Sequence, residues 1–329
     1  MPIAMSHRSS TSGSTTTPRR SSAARTSASD SRRRLVDNDA VIIEVGLNEA
    51  TARAQNPHVA YSPAECAADA GRCASAGAAV VHWHARDPET GEQRLGDVEL
   101  SAEAYAEMQS RGVLAYPSYP IDVPVEHRLD HVWALRELEG MEIAPIDIGS
   151  VSVVLWNEQA GELFSVEHSG VVNNPIGFTA DALARASELG MHPTLGAFDV
   201  GFTRTMVLLH EDGRLKPPIF HKIFLSGSWA VGPFPSEAAL DFHLAQIPDD
   251  LDVEWIAVPY SLSDPALVER LCRHAIERGG GIRIGIGDNP AAHPDATNAE
   301  LVDQAVKWCE EAGRPVATTA DVRKRFALS

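Results

Sequence analysis

From residue 40 onward, short runs rich in apolar and β-branched residues recur at 41–45, 79–83, 113–116, 143–148, 193–198, 219–225, 253–258 and 282–286. Between them lie amphipathic stretches of helical length, among them 62–75, 102–110, 180–189, 237–245, 265–277 and 299–312. Start signals accompany several of these stretches. Ser62-Pro63-Ala64-Glu65 offers a cap, a proline at the first helical position and an acid at the third, and Ser236-Glu237 opens another. Gly190, Gly279 and Gly313 stand where left-handed caps are expected. Eight strand–helix alternations predict an α/β chain, a single (β/α)₈ TIM barrel over residues 40–329. An open doubly wound sheet is the competing arrangement, but no Gly-x-Gly-x-x-Gly follows the first run.

In such a barrel the chemistry sits where strands end and the following loops begin. The first run leads into Asn48-Glu49, the second into His82-Trp83-His84-Ala85-Arg86-Asp87 and the third into Ser118. The fourth ends at Asp147, the fifth at Asp199, and the eighth runs from Arg283 to Asp288. Residues i and i+2 of a strand point the same way, roughly 6–7 Å apart. His82 and His84 can therefore take adjacent positions on one metal ion. Packing of both imidazoles in the barrel interior is the plainer alternative. Arg283 and Asp288 have opposite strand parity, so they converge only if Asp288 lies past the strand end. Otherwise Asp288 is an ordinary turn residue in Asp-Asn-Pro. His127 and His131 are four apart on an expected polar helix face, a weaker ligand pair. Cys66 and Cys73 read as core residues of one helix face, and His221 and Lys222 face either the barrel or the helices.

Composition narrows the class. No apolar run approaches the roughly 18 residues of a membrane span, and mean hydropathy is −0.14. Net charge is −17. The first 34 residues hold seven Arg, one acid and fifteen Ser or Thr, a local +6 that leaves −23 on the remainder. That segment, 1–34, reads as a disordered tail. The acidic body repels phosphate backbones, which argues against a nucleic-acid partner. Four cysteines without a CxxC pair point to a reducing cytoplasm.

These residues resemble the β-keto acid cleavage enzymes, the family typified by 3-keto-5-aminohexanoate cleavage enzyme. The matching segments are Asn48-Glu49 with Asn56-Pro57-His58 and Ser62-Pro63-Ala64-Glu65, then 76–87 with its His-x-His-x-Arg-Asp. Arg283-Ile284-Gly285, Asp288-Asn289 and 312–318 follow in order. The resemblance implies a zinc-dependent barrel enzyme, a homo-oligomer, that transfers the acyl part of a β-keto acid to acetyl-CoA and gives acetoacetate and a new acyl-CoA. It implies that His82 and His84 ligate zinc, that Glu49 and Ser118 line the substrate pocket, and that Arg283 with Asp288 supplies the base.

Two positions depart from the family pattern. Gly287 stands where a third, glutamate ligand is usual. Pro145 replaces a polar Thr, with Asp147 two residues later on the same face as a substrate contact. Glu49, Asp147 or Asp199 is then left to complete the metal sphere. The competing readings are a metal-dependent hydrolase or lyase, and a non-catalytic barrel that binds keto acid or acyl-CoA. Arg86, Arg204 and Lys222 are the cations considered for an anionic acyl-CoA.

Overall fold

The computed structural model describes residues 39–157, 160–163 and 170–329. The expected disordered tail, 1–34, lies outside the described residues. Eight parallel strands form a nearly closed ring: Ile43–Gly46, Val80–Trp83, Ala115–Pro117, Ile143–Asp147, His192–Ala197, Ile219–Ser226, Val253–Tyr260 and Gly281–Ile284. Their order is 3-2-1-8-7-6-5-4, so the seam falls between the third and fourth. This is the (β/α)₈ barrel that the alternation predicts.

The local signals form as expected. Ser62 and Glu65 make a reciprocal capping box on helix Pro63–Ala76, and Ser236 caps Glu237–Leu244. Gly190, Gly279 and Gly313 follow their helices with positive φ. Three helices were not among the amphipathic stretches singled out: Asp130–Glu139, Val200–Glu211 and Thr319–Arg325. Short antiparallel strands, Val151–Asn157, Glu162–Leu163, Gly170–Val172 and Trp229–Ala230, are inserted after the fourth and sixth barrel strands. Among the described residues no helix is long and apolar enough to cross a membrane.

Strand alternation divides the buried side chains between two environments. Ile43, Val45, Val81, Trp83, Ile282 and Ile284 are wholly or almost wholly buried in the apolar core. Their neighbours in sequence, Glu44, His82 and Arg283, turn into the barrel, where Tyr116 and Lys222 join them. Lys222 donates to Tyr116 Oη at 2.8 Å, and Tyr116 donates to Glu44 Oε1 at 2.7 Å. The ring thus encloses a charged network rather than an apolar plug.

His221, next to Lys222, points the other way. Its Nε2 lies 3.0 Å from Thr203 Oγ1, which is 2.7 Å from His243 Nδ1. Burial and the neighbouring His243 push His221 down to about 3. Burial likewise pushes His243 down to about 4, against a small opposing pull from Asp199. Both are neutral in the fold, whereas the unfolded chain takes up protons below about 6.5. Stability is therefore lost as pH falls below that value, by up to about 1.4 kcal/mol per pH unit for each histidine. Denaturant titrations between pH 7 and 5 should show this slope, and it should be shallower in His221→Asn. An unchanged slope in that variant would contradict the assignment.

Candidate active site

The C-terminal ends of the first, second and eighth strands converge. Gly46 pairs in register with His82, which pairs with Tyr116, while Glu44 pairs with Arg283. Beyond the first strand the chain turns through Glu49 at φ 37, a left-handed conformation unusual for a non-glycine residue. The turn brings the Glu49 carboxylate over the two histidines. Oε1 is 3.2 Å from His82 Nε2, and Oε2 is 2.6 Å from His84 Nε2. The three donor atoms lie within 4.8 Å of one another and all three residues are buried. Arg283 Nη2 also donates to Glu49 Oε1.

The protonation pattern around this cluster is informative. His84 Nδ1 sits 2.8 Å from Gln93 Oε1, an acceptor, so the ring proton belongs on Nδ1. Nε2, which makes no hydrogen bond, faces the Glu49 carboxylate. Burial works against the Glu49 charge, but His84, Arg283 and His82 outweigh it and hold its carboxyl well below the usual range. Burial, reinforced by the Arg283 charge, pushes His82 well below its ordinary value, against the pull of the Glu49 carboxylate. Two imidazole nitrogens and a carboxylate thus face one point. That donor set suits a borderline cation such as zinc. The charge count agrees, since among the described residues Glu44, Glu49, Asp147 and Asp288 line the interior against Arg283 and Lys222.

Asp288 lies past the eighth strand, as its parity requires. Arg283 grips it with two bonds, Nε to Oδ2 at 3.0 Å and Nη2 to Oδ1 at 2.6 Å. Burial pushes Asp288 up to about 6, Arg283 pulls against it, and the nearby Glu49 charge adds to the rise. Asp147 stands apart from the three-residue cluster. Its Oδ2 accepts from Tyr119 at 2.6 Å, and its other oxygen folds over Gly196, where a Cβ would stand only 1.9 Å away. Ser118 is placed by its backbone, with its N–H on Trp83 O and its carbonyl on His131. Among the described residues its hydroxyl makes no hydrogen bond.

Several expectations change. Asp199 is the N-cap of Val200–Glu211, its carboxylate on Gly201 N, so of the three acids considered only Glu49 joins the histidines. His127 ends a separate 3₁₀ turn, and His131 is buried rather than on a polar face. Arg86 and Lys222 are committed to internal partners, leaving Arg204 at the surface. His221 faces away from the barrel, and His192 bonds the Pro218 carbonyl, so neither supplies the further metal-binding imidazole that a hydrolase site of this type needs. Sequence reasoning missed Glu44, Tyr116 and Gln93, and named Asn48 only within a matching segment. Only Glu44 carried a signal, an acid between Ile43 and Val45 at an inward strand position.

A family model of β-keto acid cleavage enzymes matches residues 40–328. The chain belongs to the β-keto acid cleavage enzyme family. It is accordingly an enzyme of the acyl-transferring, carbon–carbon bond-cleaving kind. It is 26% identical over 297 residues to 3-dehydrocarnitine:acetyl-CoA trimethylamine transferase of Rhizobium meliloti, covering 84% of this chain and 92% of that protein. It is 24% identical over 280 residues to 3-keto-5-aminohexanoate cleavage enzyme of Acetoanaerobium sticklandii, covering 83% and 93%. Among solved structures, apo ObcA superposes with a TM-score of 0.61 at 16% identity, over 82% of this chain and 66% of that one, a likeness of fold. This chain thus spans just under two thirds of ObcA's own length.

Gly287 lies packed against the Glu49 loop at the barrel mouth. A Cβ there would lie 2.7 Å from Asn48 N, 2.7 Å from Gly46 O and 2.9 Å from Glu49 N, all backbone atoms. The Glu49 loop therefore occupies the space a side chain at 287 would need. Gly287→Ala should destabilise the protein by about 1–3 kcal/mol through overpacking, measurable by chemical denaturation. A neutral effect would show that the loop is free to move aside.

Proposed function

We propose that this enzyme is a zinc-dependent β-keto acid cleavage enzyme that exchanges acyl groups between a β-keto acid and acetyl-CoA. In net terms, R–CO–CH₂–COO⁻ and acetyl-CoA give acetoacetate and R–CO–CoA. The observation that carries the reading is the convergence of Glu49, His82 and His84 on one point beside the Arg283–Asp288 pair. Glu49, His82 and His84 would hold the zinc. A bound zinc ion supplies Lewis acidity toward the keto oxygen of the substrate.

The protein's own groups handle the proton and the carboxylates. Arg283 fixes Asp288 with two charge-assisted hydrogen bonds, which orient the carboxylate and keep it from pairing elsewhere. With a value near 6, Asp288 is ionised at neutral pH and more basic than an ordinary aspartate. Asp288 takes a proton from C2 of the β-keto acid. The C2 carbanion attacks the acetyl carbonyl of acetyl-CoA, forming the new carbon–carbon bond and expelling CoA thiolate. The thiolate attacks the original keto carbon, whose bond to C2 breaks, and Asp288 returns the proton to C2 of acetoacetate. Asp147 and Ser118 would bound the substrate side chain on the third- and fourth-strand side. The four cysteines are buried free thiols, which supports a cytoplasmic setting. We also take the enzyme to be a homo-oligomer, for which exposed Ile176, Leu208 and Phe234 offer apolar surface.

Elemental analysis should find one zinc per chain, and a His82→Ala, His84→Ala double variant should lose it. Asp288→Asn should keep the zinc while acyl exchange falls by about 10²–10⁴-fold. For the parent enzyme kcat/KM should fall as pH drops through about 6, as the base takes up its proton. Retained exchange in Asp288→Asn would remove Asp288 from the mechanism.

A further inference from the structure

Arg86 is buried, yet no carboxylate lies within 4.0 Å of it among the described residues. Its guanidinium instead gathers backbone carbonyls. Nε donates to Gly91 O at 2.7 Å, and Nη1 serves Asn48 O and Glu49 O at 3.3 Å each, with Thr51 O as a third acceptor. The plane rests on the Tyr61 ring, 4.4 Å from its centroid, and the guanidinium of Arg53 lies 4.3 Å from the same ring. A buried guanidinium spent on neutral acceptors is an expensive arrangement unless it fixes something. Here three of the four carbonyls it holds are those of Asn48, Glu49 and Thr51, in the Glu49 turn itself.

A second brace acts on the same turn. The Asn48 side chain both donates to His84 O at 3.0 Å and accepts from His84 N at 2.8 Å, tying the residue before Glu49 to the backbone of His84. Asn48 Nδ2 also reaches Ala60 O at 3.0 Å. From the other side Thr51 Oγ1 donates to Ile286 O and Gly287 O, both at 3.1 Å. Arg86 is carried two residues after His84. The segment that bears the two histidines therefore also bears the clamp that holds Glu49 over them.

We infer that Arg86, with Asn48, is the positioning device that sets the Glu49 carboxylate against His82 and His84, so that metal affinity depends on a residue that touches no metal. The inference rests on the reading that these three residues hold a divalent cation. Arg86→Lys retains the positive charge but replaces a planar fork with a single ammonium, which cannot reach Gly91 and the Glu49 turn together. Outer partners of metal ligands typically contribute about 10–100-fold in affinity.

The test is a Co²⁺ titration of metal-free protein, followed by visible absorbance, on the parent chain, Arg86→Lys and Arg314→Lys. Arg314 is a comparable carbonyl clamp on Ile276 O and Gly280 O, remote from the site, and reports generic loss of stability. Thermal unfolding of all three sets a temperature at which each is folded. The expected result is Co²⁺ affinity lowered about 10–100-fold in Arg86→Lys and unchanged in Arg314→Lys. Equal affinity in the parent and Arg86→Lys would overturn the positioning role alone, as would an equal loss in Arg314→Lys. A parent chain that binds no Co²⁺ would overturn the metal reading beneath it.

Discussion

Everything at the barrel mouth depends on where the Glu49 carboxylate is held. It is buried between two imidazoles and a guanidinium, in a turn whose backbone takes a left-handed conformation. A lone carboxylate so placed would be costly to ionise. The two histidines and the Arg283 guanidinium reverse that cost, and an ion shared with the histidines would complete the balance. Without the turn, the histidines would remain a pair of packed imidazoles and the eighth-strand Arg283 would have one carboxylate fewer to organise.

The interior below the mouth follows the same logic. Lys222, Tyr116, Glu44 and Arg283 form one hydrogen-bonded series across the sixth, third, first and eighth strands. Burial lowers Lys222 and raises Tyr116, so each group is stable inside only because its neighbours satisfy it. Such a network fixes register more stringently than apolar packing, because a one-residue slip would turn every charge outward into the helix layer. The apolar stabilisation lies in that outer layer, between the ring and the helices, which leaves the interior free to be polar.

Much of this was legible in the sequence. The apolar face of each strand must meet a helix, so its periodicity reported the barrel directly, and Arg283 and Asp288 could be seen to meet only past a strand end. Inward positions carry no apolar period, which is why Tyr116 was missed and Lys222 stayed ambiguous, while Gln93 lies in the loop after the second strand, on an isolated bridge to Arg86. The inserted strands such as Trp229–Ala230 are too short for alternation to register. Helix Val200–Glu211 was hidden because Asp199, its cap, looked like another acid at a strand end. Glu49 could be read as a substrate contact or as a ligand, and the turn that sets its carboxylate against both histidines left no mark in the sequence. Gly287 reads as a loss in sequence, whereas in three dimensions it is the space the Glu49 turn occupies.

The claim on which the account stands is that Glu49 completes a metal site with His82 and His84. X-ray absorption at the zinc edge of the zinc-loaded protein addresses it most directly. The account predicts nitrogen and oxygen neighbours only, two of them imidazole nitrogens at about 2.0–2.1 Å, and loss of an oxygen neighbour in Glu49→Gln. A sulfur neighbour, or a spectrum unchanged by Glu49→Gln, would contradict it.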